Sequence, residues 1–199
     1  MIINSLFPEP VGVFSIGRAL KQNETECIDS KLKTLSKNVG NNFSEDTFVL
    51  DSNELIDLKV FFLDSLNEFT TSIYEKQINL KITQSWLNLS TEKEYHHPHS
   101  HPNSFLSGVF FTKSDESDKI QFIKSNVDKS FETHIETFNP WNSERWWLPA
   151  TEGNLVLFKS TLYHEVPPTT SKKRISLSFN TFFDQNMGNP QKLTFLPLV

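Results

Sequence analysis

From Lys81 onward the chain stops repeating every three or four residues and becomes a series of short β-prone runs. These are Ile82–Leu89, Phe105–Thr112, Ile120–Ile123, Arg145–Leu148, Asn154–Lys159 and Arg174–Phe183. Turn-prone clusters separate them, among them Lys113–Asp118 and Thr151–Asn154. Many short strands at this spacing predict a sandwich or barrel of jelly-roll type. Helical periodicity comes before the strands and not between them, which argues against a doubly wound parallel sheet. One helix is expected over 24–37, where Ile28, Leu32 and Leu35 fall at helical spacing. A stronger one is expected to begin at Asp51, which has capping-box spacing to Glu54. Leu55, Leu58, Phe62, Leu66, Phe69 and Ile73 then form a wide stripe to about Tyr74. Such a stripe predicts a helix lying flat on one sheet. Residues 4–15, with Pro8 and Pro10, read as an extended segment or edge strand, and 38–50 as a loop.

The expected architecture is therefore α+β, mainly β, with N-terminal helices packed on one sheet of a jelly-roll, cupin-like barrel. At 199 residues a single domain is expected over 1–199. Within it, 1–80 supply the extended segment and support helices, 81–185 the β core and 186–199 a tail. Residues 124–150 break the regular spacing and carry Phe131, Phe138, Trp141, Trp146 and Trp147. Two readings stay open for them: a lid or substrate wall, or a plug for one end of the barrel.

Composition bounds the function. A net charge of −5 argues against a surface that coats nucleic acid, which needs basic patches to neutralise phosphates. The single cysteine, Cys27, forms no intrachain disulfide and points to a reducing, cytoplasmic setting. The sequence holds no apolar run long enough for a membrane span, and the first residues lack the pattern of a secretory signal.

The run Arg174–Phe183 is the most informative strand. Side chains alternate across a strand, so Arg174, Ser176, Ser178 and Asn180 share one face and Ile175, Leu177, Phe179 and Thr181 the other. With the apolar face against the helices, the polar face points into the barrel. An arginine facing an interior needs a partner, since a buried unpaired guanidinium costs several kcal/mol, an order-of-magnitude figure. A structural carboxylate or a bound acid would serve. No obvious carboxylate shares that face, and Glu165 is the nearest competitor.

Four of the six histidines lie in His96-His97-Pro98-His99-Ser100-His101. His99 and His101, at i and i+2 on an extended segment, project to one side and offer two cis imidazoles. His97 and His99 form a rival pair. His164, after the apolar run 155–163, offers a third ligand from a distant strand, and Arg174 follows ten residues later. His96 and His97 are left as neighbours of the ligands or solvated groups. A plain histidine-rich loop without metal is the bland alternative.

The run Trp86-Leu87-Asn88, then His99-Ser100-His101-Pro102 and Ser107-Gly108-Val109-Phe110-Phe111, resembles a family of 2-oxoglutarate/Fe(II)-dependent oxygenases from marine bacteria and phages. So do Gly153–Ser160, His164-Glu165-Val166 and Arg174–Asn180. The resemblance is strongest over 84–183. It implies a double-stranded β-helix of the prolyl-hydroxylase-like kind. It further implies Fe(II) held by His99, His101 and His164, and 2-oxoglutarate gripped by Arg174 and Ser176, with Asn88 beside it. Ascorbate would be an accessory reductant. The implied reaction is oxidative decarboxylation of 2-oxoglutarate to succinate coupled to hydroxylation of a small molecule or protein side chain. The cell would be a bacterium, or a host whose cytoplasm holds a phage protein, with the oligomeric state open and a homodimer among the options. Most of the superfamily uses H-x-D; here His101 replaces the carboxylate, which also admits zinc or nickel. Two further readings follow from that: a non-catalytic module that binds metal and a small acid, and a three-histidine cupin-type dioxygenase without 2-oxoglutarate.

Overall fold

A computed structural model of the chain describes residues 1–124 and 134–199. Its elements run β1 (Val11–Ser15), α1 (Gln22–Lys31), β2 (Leu35–Lys37), β3 (Asn42–Ser44), α2 (Ile56–Tyr74), β4 (Leu80–Ser90) and β5 (His96–His99). They continue with β6 (Leu106–Lys113), β7 (Lys119–Ile123), β8 (Arg145–Pro149), β9 (Asn154–Lys159), β10 (His164–Val166) and β11 (Arg174–Phe183). A large sheet has the order β1-β9-β6-β11-β4-β3-β2 and a small one the order β5-β10-β7-β8. All the ladders between named strands are antiparallel. No ladder joins the two sheets among the described residues, so the expected barrel is corrected to two separate sheets.

Two hydrophobic layers hold this arrangement together. On one face of the large sheet, Leu155 and Leu157 of β9, Leu106 and Phe110 of β6, and Ile175, Leu177 and Phe179 of β11 pack with Leu58, Phe62, Leu66 and Phe69 of α2. Phe62 stacks on Phe179 at 5.1 Å between ring centroids. The apolar stripe of α2 thus lies on one sheet, as its period predicts. On the other face, Val156, Phe158 and Phe111 meet Ile120 and Ala150, which brings the two sheets together. The central strands are buried on both faces, and for that reason β9 reads as one unbroken apolar run. Gly108 lets β11 approach, since a Cβ there would stand 2.3 Å from the Phe179 ring.

The N-terminal third departs from its expected form. The helix expected over 24–37 ends at Lys31, and Leu35–Lys37 instead pairs with Asn42–Ser44 at the sheet edge. Residues 38–50, read as loop, therefore contain a strand. Glu24 anchors α1: it is fully buried, takes two hydrogen bonds from Arg18 at 2.7 and 2.8 Å, and accepts the Lys21 N–H at 2.7 Å. Asp51 does not cap α2. The chain makes 3-10 turns over Val49–Asp51 and Asn53–Leu55 first, and Asp51 pairs with Lys59 at 2.7 Å. Burial of Val49, Leu50 and Leu55 fixes those turns and outweighs a cap worth about 1 kcal/mol. β1 is the expected edge strand, paired with β9. No helix is long and apolar enough to cross a membrane among the described residues.

The small sheet sets one row in register: His99 opposite His164, His164 opposite Phe122, and Phe122 opposite Trp146. Directly paired residues project to the same face, so Trp146 looks out over the same side as the two histidines. Phe138, Trp141, Trp146 and Trp147 are all substantially exposed, which overturns the reading of these aromatics as a plug. Phe131 lies outside the described residues.

Candidate metal centre

β5 and the turn after it present His99 and His101, and β10 presents His164. One ligand atom from each of the three lies within 4.8 Å of the others, an arrangement that could hold a metal ion. The Nε2 atoms of His101 and His164 are 3.2 Å apart and the two rings are parallel. The other ring nitrogens are tied back. His99 Nδ1 donates to the His97 carbonyl at 2.7 Å, and His164 Nδ1 donates to the Leu162 carbonyl at 2.9 Å. A carbonyl only accepts, so both rings carry their proton on Nδ1 and leave Nε2 bare. A backbone carbonyl behind a ligating imidazole fixes tautomer and orientation in this way.

The site is dry enough to keep the imidazoles neutral. Burial first, and then repulsion from neighbouring His99, pushes His164 down to about 3 and His101 down to about 4. Burial also lowers His99. Neutral imidazole is the ligating form. His96 and His97 are half-buried, not solvated. His96 stacks on His99 at 4.3 Å and bonds Asn38 at 3.2 Å, while the His97 Nδ1 is buried without a partner. Of the two candidate H-x-H pairs, His99 with His101 is the one that converges with His164.

β11 supplies the opposite wall. Arg174, Ser176 and Ser178 line the same pocket as the three histidines, together with Asn88 and Trp86 of β4. Asn88 opposes Ser176 in the ladder and donates to Ser178 Oγ at 3.0 Å. Arg174 is 4% exposed, and its contacts are sparse for a buried guanidinium. Nη2 reaches Ser90 Oγ at 3.4 Å, and Nη1 stands 3.9 Å from Asp118 Oδ1, beyond hydrogen-bond distance. Burial lowers its pKa and Asp118 opposes that shift; the guanidinium stays charged. Among the described residues most of its five donors are unspent, which is the donor set a carboxylate takes up.

Two residues stand otherwise than the sequence suggested. Glu165 does not compete for Arg174; it pairs with Arg145 at 3.2 Å. The nearby carboxylate is Asp118, almost fully buried just before β7. It accepts Ser171 Oγ at 2.6 Å, the Asp115 N–H at 2.9 Å, and Thr169 Oγ1. Asp118 was hidden in a turn-prone run 56 residues before Arg174, where no local signal marks it.

The two sheets with helices on one face match the fold of solved 2-oxoglutarate oxygenases. A prolyl hydroxylase from Trichoplax adhaerens, solved with a hypoxia-inducible-factor peptide, superposes with a TM-score of 0.62 at 12% identity, over 87% of this chain and 84% of that one. A prolyl-4-hydroxylase from Pseudomonas putida gives 0.54 at 14%, over 86% and 92%. HygX from Streptomyces hygroscopicus, solved with nickel, 2-oxoglutarate and hygromycin B, gives 0.56 at 11%, over 88% and 84%. No curated protein matches the chain in sequence. Residues 84–180 match the sequence family described as "Putative 2OG-Fe(II) oxygenase". That stretch contains all three histidines and Arg174.

Proposed function

We propose that the protein is a 2-oxoglutarate- and Fe(II)-dependent dioxygenase built on a double-stranded β-helix. His99, His101 and His164 hold the metal, and Arg174 with Ser176 receives the far carboxylate of 2-oxoglutarate. The observation that carries this is the pairing, in one pocket, of bare imidazole nitrogens with a buried guanidinium whose donors are largely free.

When bound, iron and 2-oxoglutarate supply oxidative decarboxylation to succinate coupled to hydroxylation of a substrate C–H bond. The protein's own residues bind, orient and exclude water. Arg174 offers a planar fork to a carboxylate, in a setting where that pairing is worth more than in water. Ser176, one residue pair along the same face, adds a hydroxyl donor, and Asn88 is placed across the ladder to meet the same ligand. Trp86, with its ring 5.8 Å from His101, closes one side against solvent. Trp146, at the far end of the row that begins with His99, is positioned to meet an incoming substrate, which is a small molecule or a protein side chain.

Anaerobic titration tests the reading. Adding Fe(II) and then 2-oxoglutarate should produce a weak charge-transfer band in the visible region, and admitting air should yield succinate. Binding of both without succinate on any substrate would make this a metal- and acid-binding module. Iron binding without any response to 2-oxoglutarate would point to the cupin-type alternative.

A further inference from the structure

The three imidazoles are not held alike. His99 and His164 face each other in the ladder between β5 and β10, and each ring is tied to a carbonyl two residues back in its own chain. His101 lies past the end of β5 and belongs to no named strand. Its N–H donates to the Ser160 carbonyl at 2.9 Å, one residue beyond the end of β9. The position of the third ligand therefore depends on how firmly Ser160 is held.

Ser160 is fully buried, and its N–H donates to the Phe105 carbonyl at 3.1 Å. Its hydroxyl lies 2.7 Å from that of Ser104 and 2.8 Å from that of Ser107. Both neighbours are anchored in their turn. Ser107, on β6, donates from Oγ to Asn180 Oδ1 at 2.9 Å, and Ser104 Oγ accepts the Thr181 N–H at 3.2 Å. Between His101 and Ser104 the chain doubles back through Asn103, whose φ of 56° lies in the left-handed region that asparagine tolerates. His101 at one end of that turn and Ser104 and Phe105 at the other are thus pinned to the same residue. A hydroxyl with no solvent contact is costly unless it is hydrogen-bonded, and a buried polar cluster whose members are all satisfied fixes one arrangement of the segments it joins.

We infer that Ser160 is a positioning residue for His101. Clamped by Ser104 and Ser107, it holds the turn over 101–105 so that the His101 ring stays parallel to that of His164, with the two Nε2 atoms 3.2 Å apart. This rests on the metal reading above. It gives the serine cluster a task at the one ligand that no strand ladder places.

The experiment compares the full-length wild type, Ser160→Ala and Ser104→Ala in two measurements. One is calorimetric titration with Co(II). The other is amide hydrogen exchange of the metal-free protein, followed by NMR. Ser160→Ala should bind Co(II) about 10–100-fold more weakly, the usual cost of losing a residue that orients a ligand. Its His101 amide should exchange faster, while the amides of Leu157 on β9 and Leu177 on β11 keep their wild-type protection. Ser104→Ala removes one of the two hydroxyl contacts and should move both readings the same way by less. Wild-type Co(II) affinity in Ser160→Ala would overturn the inference and leave the metal reading standing. A loss of protection spread evenly over β9 and β11 would also overturn it, since the serines would then serve packing alone. Should Ser160→Ala fail to fold, Ser104→Ala decides by the same two criteria. Failure of the wild type to bind Co(II) at all would instead remove the metal reading, and this inference with it.

Discussion

Replacing Arg174 by Met separates a ligand anchor from a structural ion pair. Met keeps most of the apolar stem and fills much of the space, so little cavity is made. Two losses are expected. The first is in stability. At 3.9 Å and an effective dielectric constant of about 20, the attraction between Arg174 and Asp118 is about 4 kcal/mol. Breaking a buried pair typically costs about 3–5 kcal/mol. Asp118 keeps its three hydrogen bonds from Ser171, Asp115 and Thr169, so the cost should sit below that range, at about 2–3 kcal/mol. The second loss is in binding. A buried carboxylate deprived of its guanidinium also loses about 3–5 kcal/mol, which is roughly a hundredfold to several thousandfold in Kd. Urea denaturation reads the first, and calorimetry with 2-oxoglutarate on metal-loaded protein under nitrogen reads the second. Adding Asp118→Asn to Arg174→Met removes the orphaned charge, so it should recover part of the stability and none of the binding. An Arg174→Met protein that binds 2-oxoglutarate as wild type does, while losing stability, would make Arg174 a partner of Asp118 alone.

Further outcomes follow from the same geometry. His164→Ala should abolish tight Co(II) binding and leave the far-ultraviolet circular dichroism unchanged, because two imidazoles remain and the core does not depend on the third. The metal-free protein should lose stability as pH falls from about 6.5 towards about 4. Over that window the unfolded histidines take up protons while His101, near 4, and His164, near 3, do not. The slope is about 1.4 kcal/mol per pH unit for each histidine, read by denaturation at a series of pH values, and a flat profile would contradict the burial. Gly108→Ala should destabilise by about 1–3 kcal/mol, because its Cβ would meet the Phe179 ring at 2.3 Å and that ring is held by Phe62; an unchanged melting midpoint would refute the packing.

How far the chain could be read depended on how local each signal was. The stripe Leu55 to Ile73 and the runs of β4, β6, β9 and β11 were legible, because each buries a whole face and writes its period into the residues. β11 was legible on both faces, since its apolar side meets α2 and its polar side meets the histidines. The shortest strands, of three or four residues, were not. β5 is four residues, three of them histidine and one proline, and β10 is three residues ending in Val166; neither has the length to show a period. β2 and β3 are three residues each, held by edge pairing and by the buried polar Ser44 and not by an apolar face. The H-x-H pair stood out because it is local, and His164 because it ends an apolar run. Asp118, bonded to Thr169 and Ser171, and Ser160, whose hydroxyl lies 2.7 Å from that of Ser104 and 2.8 Å from that of Ser107, join segments 50 or more residues apart through polar side chains, and no spacing in the sequence records such a contact.

Charge links the three-histidine set to the acid it is proposed to take. All three imidazoles are held neutral by burial, so a divalent ion there keeps both of its charges. Arg174 adds one positive charge, and Asp118, whose oxygens are occupied by three neutral donors, sets one negative charge 3.9 Å behind it. The walls of the loaded pocket therefore carry two net positive charges, which is the charge a dicarboxylate brings with the opposite sign. A carboxylate in place of His101 would leave only one. Asp118 thus acts as a fixed counter-charge: it offsets the cost of burying Arg174 before any ligand arrives, yet at 3.9 Å it does not occupy the guanidinium's hydrogen-bonding fork. In a low-dielectric pocket an uncompensated charge is expensive, so a dianion is favoured over a monoanion or a neutral ligand of similar size. Succinate and 2-oxoglutarate carry the same charge and differ in the keto oxygen, so on the proposed reading discrimination between product and co-substrate would fall to the metal side of the pocket and not to Arg174.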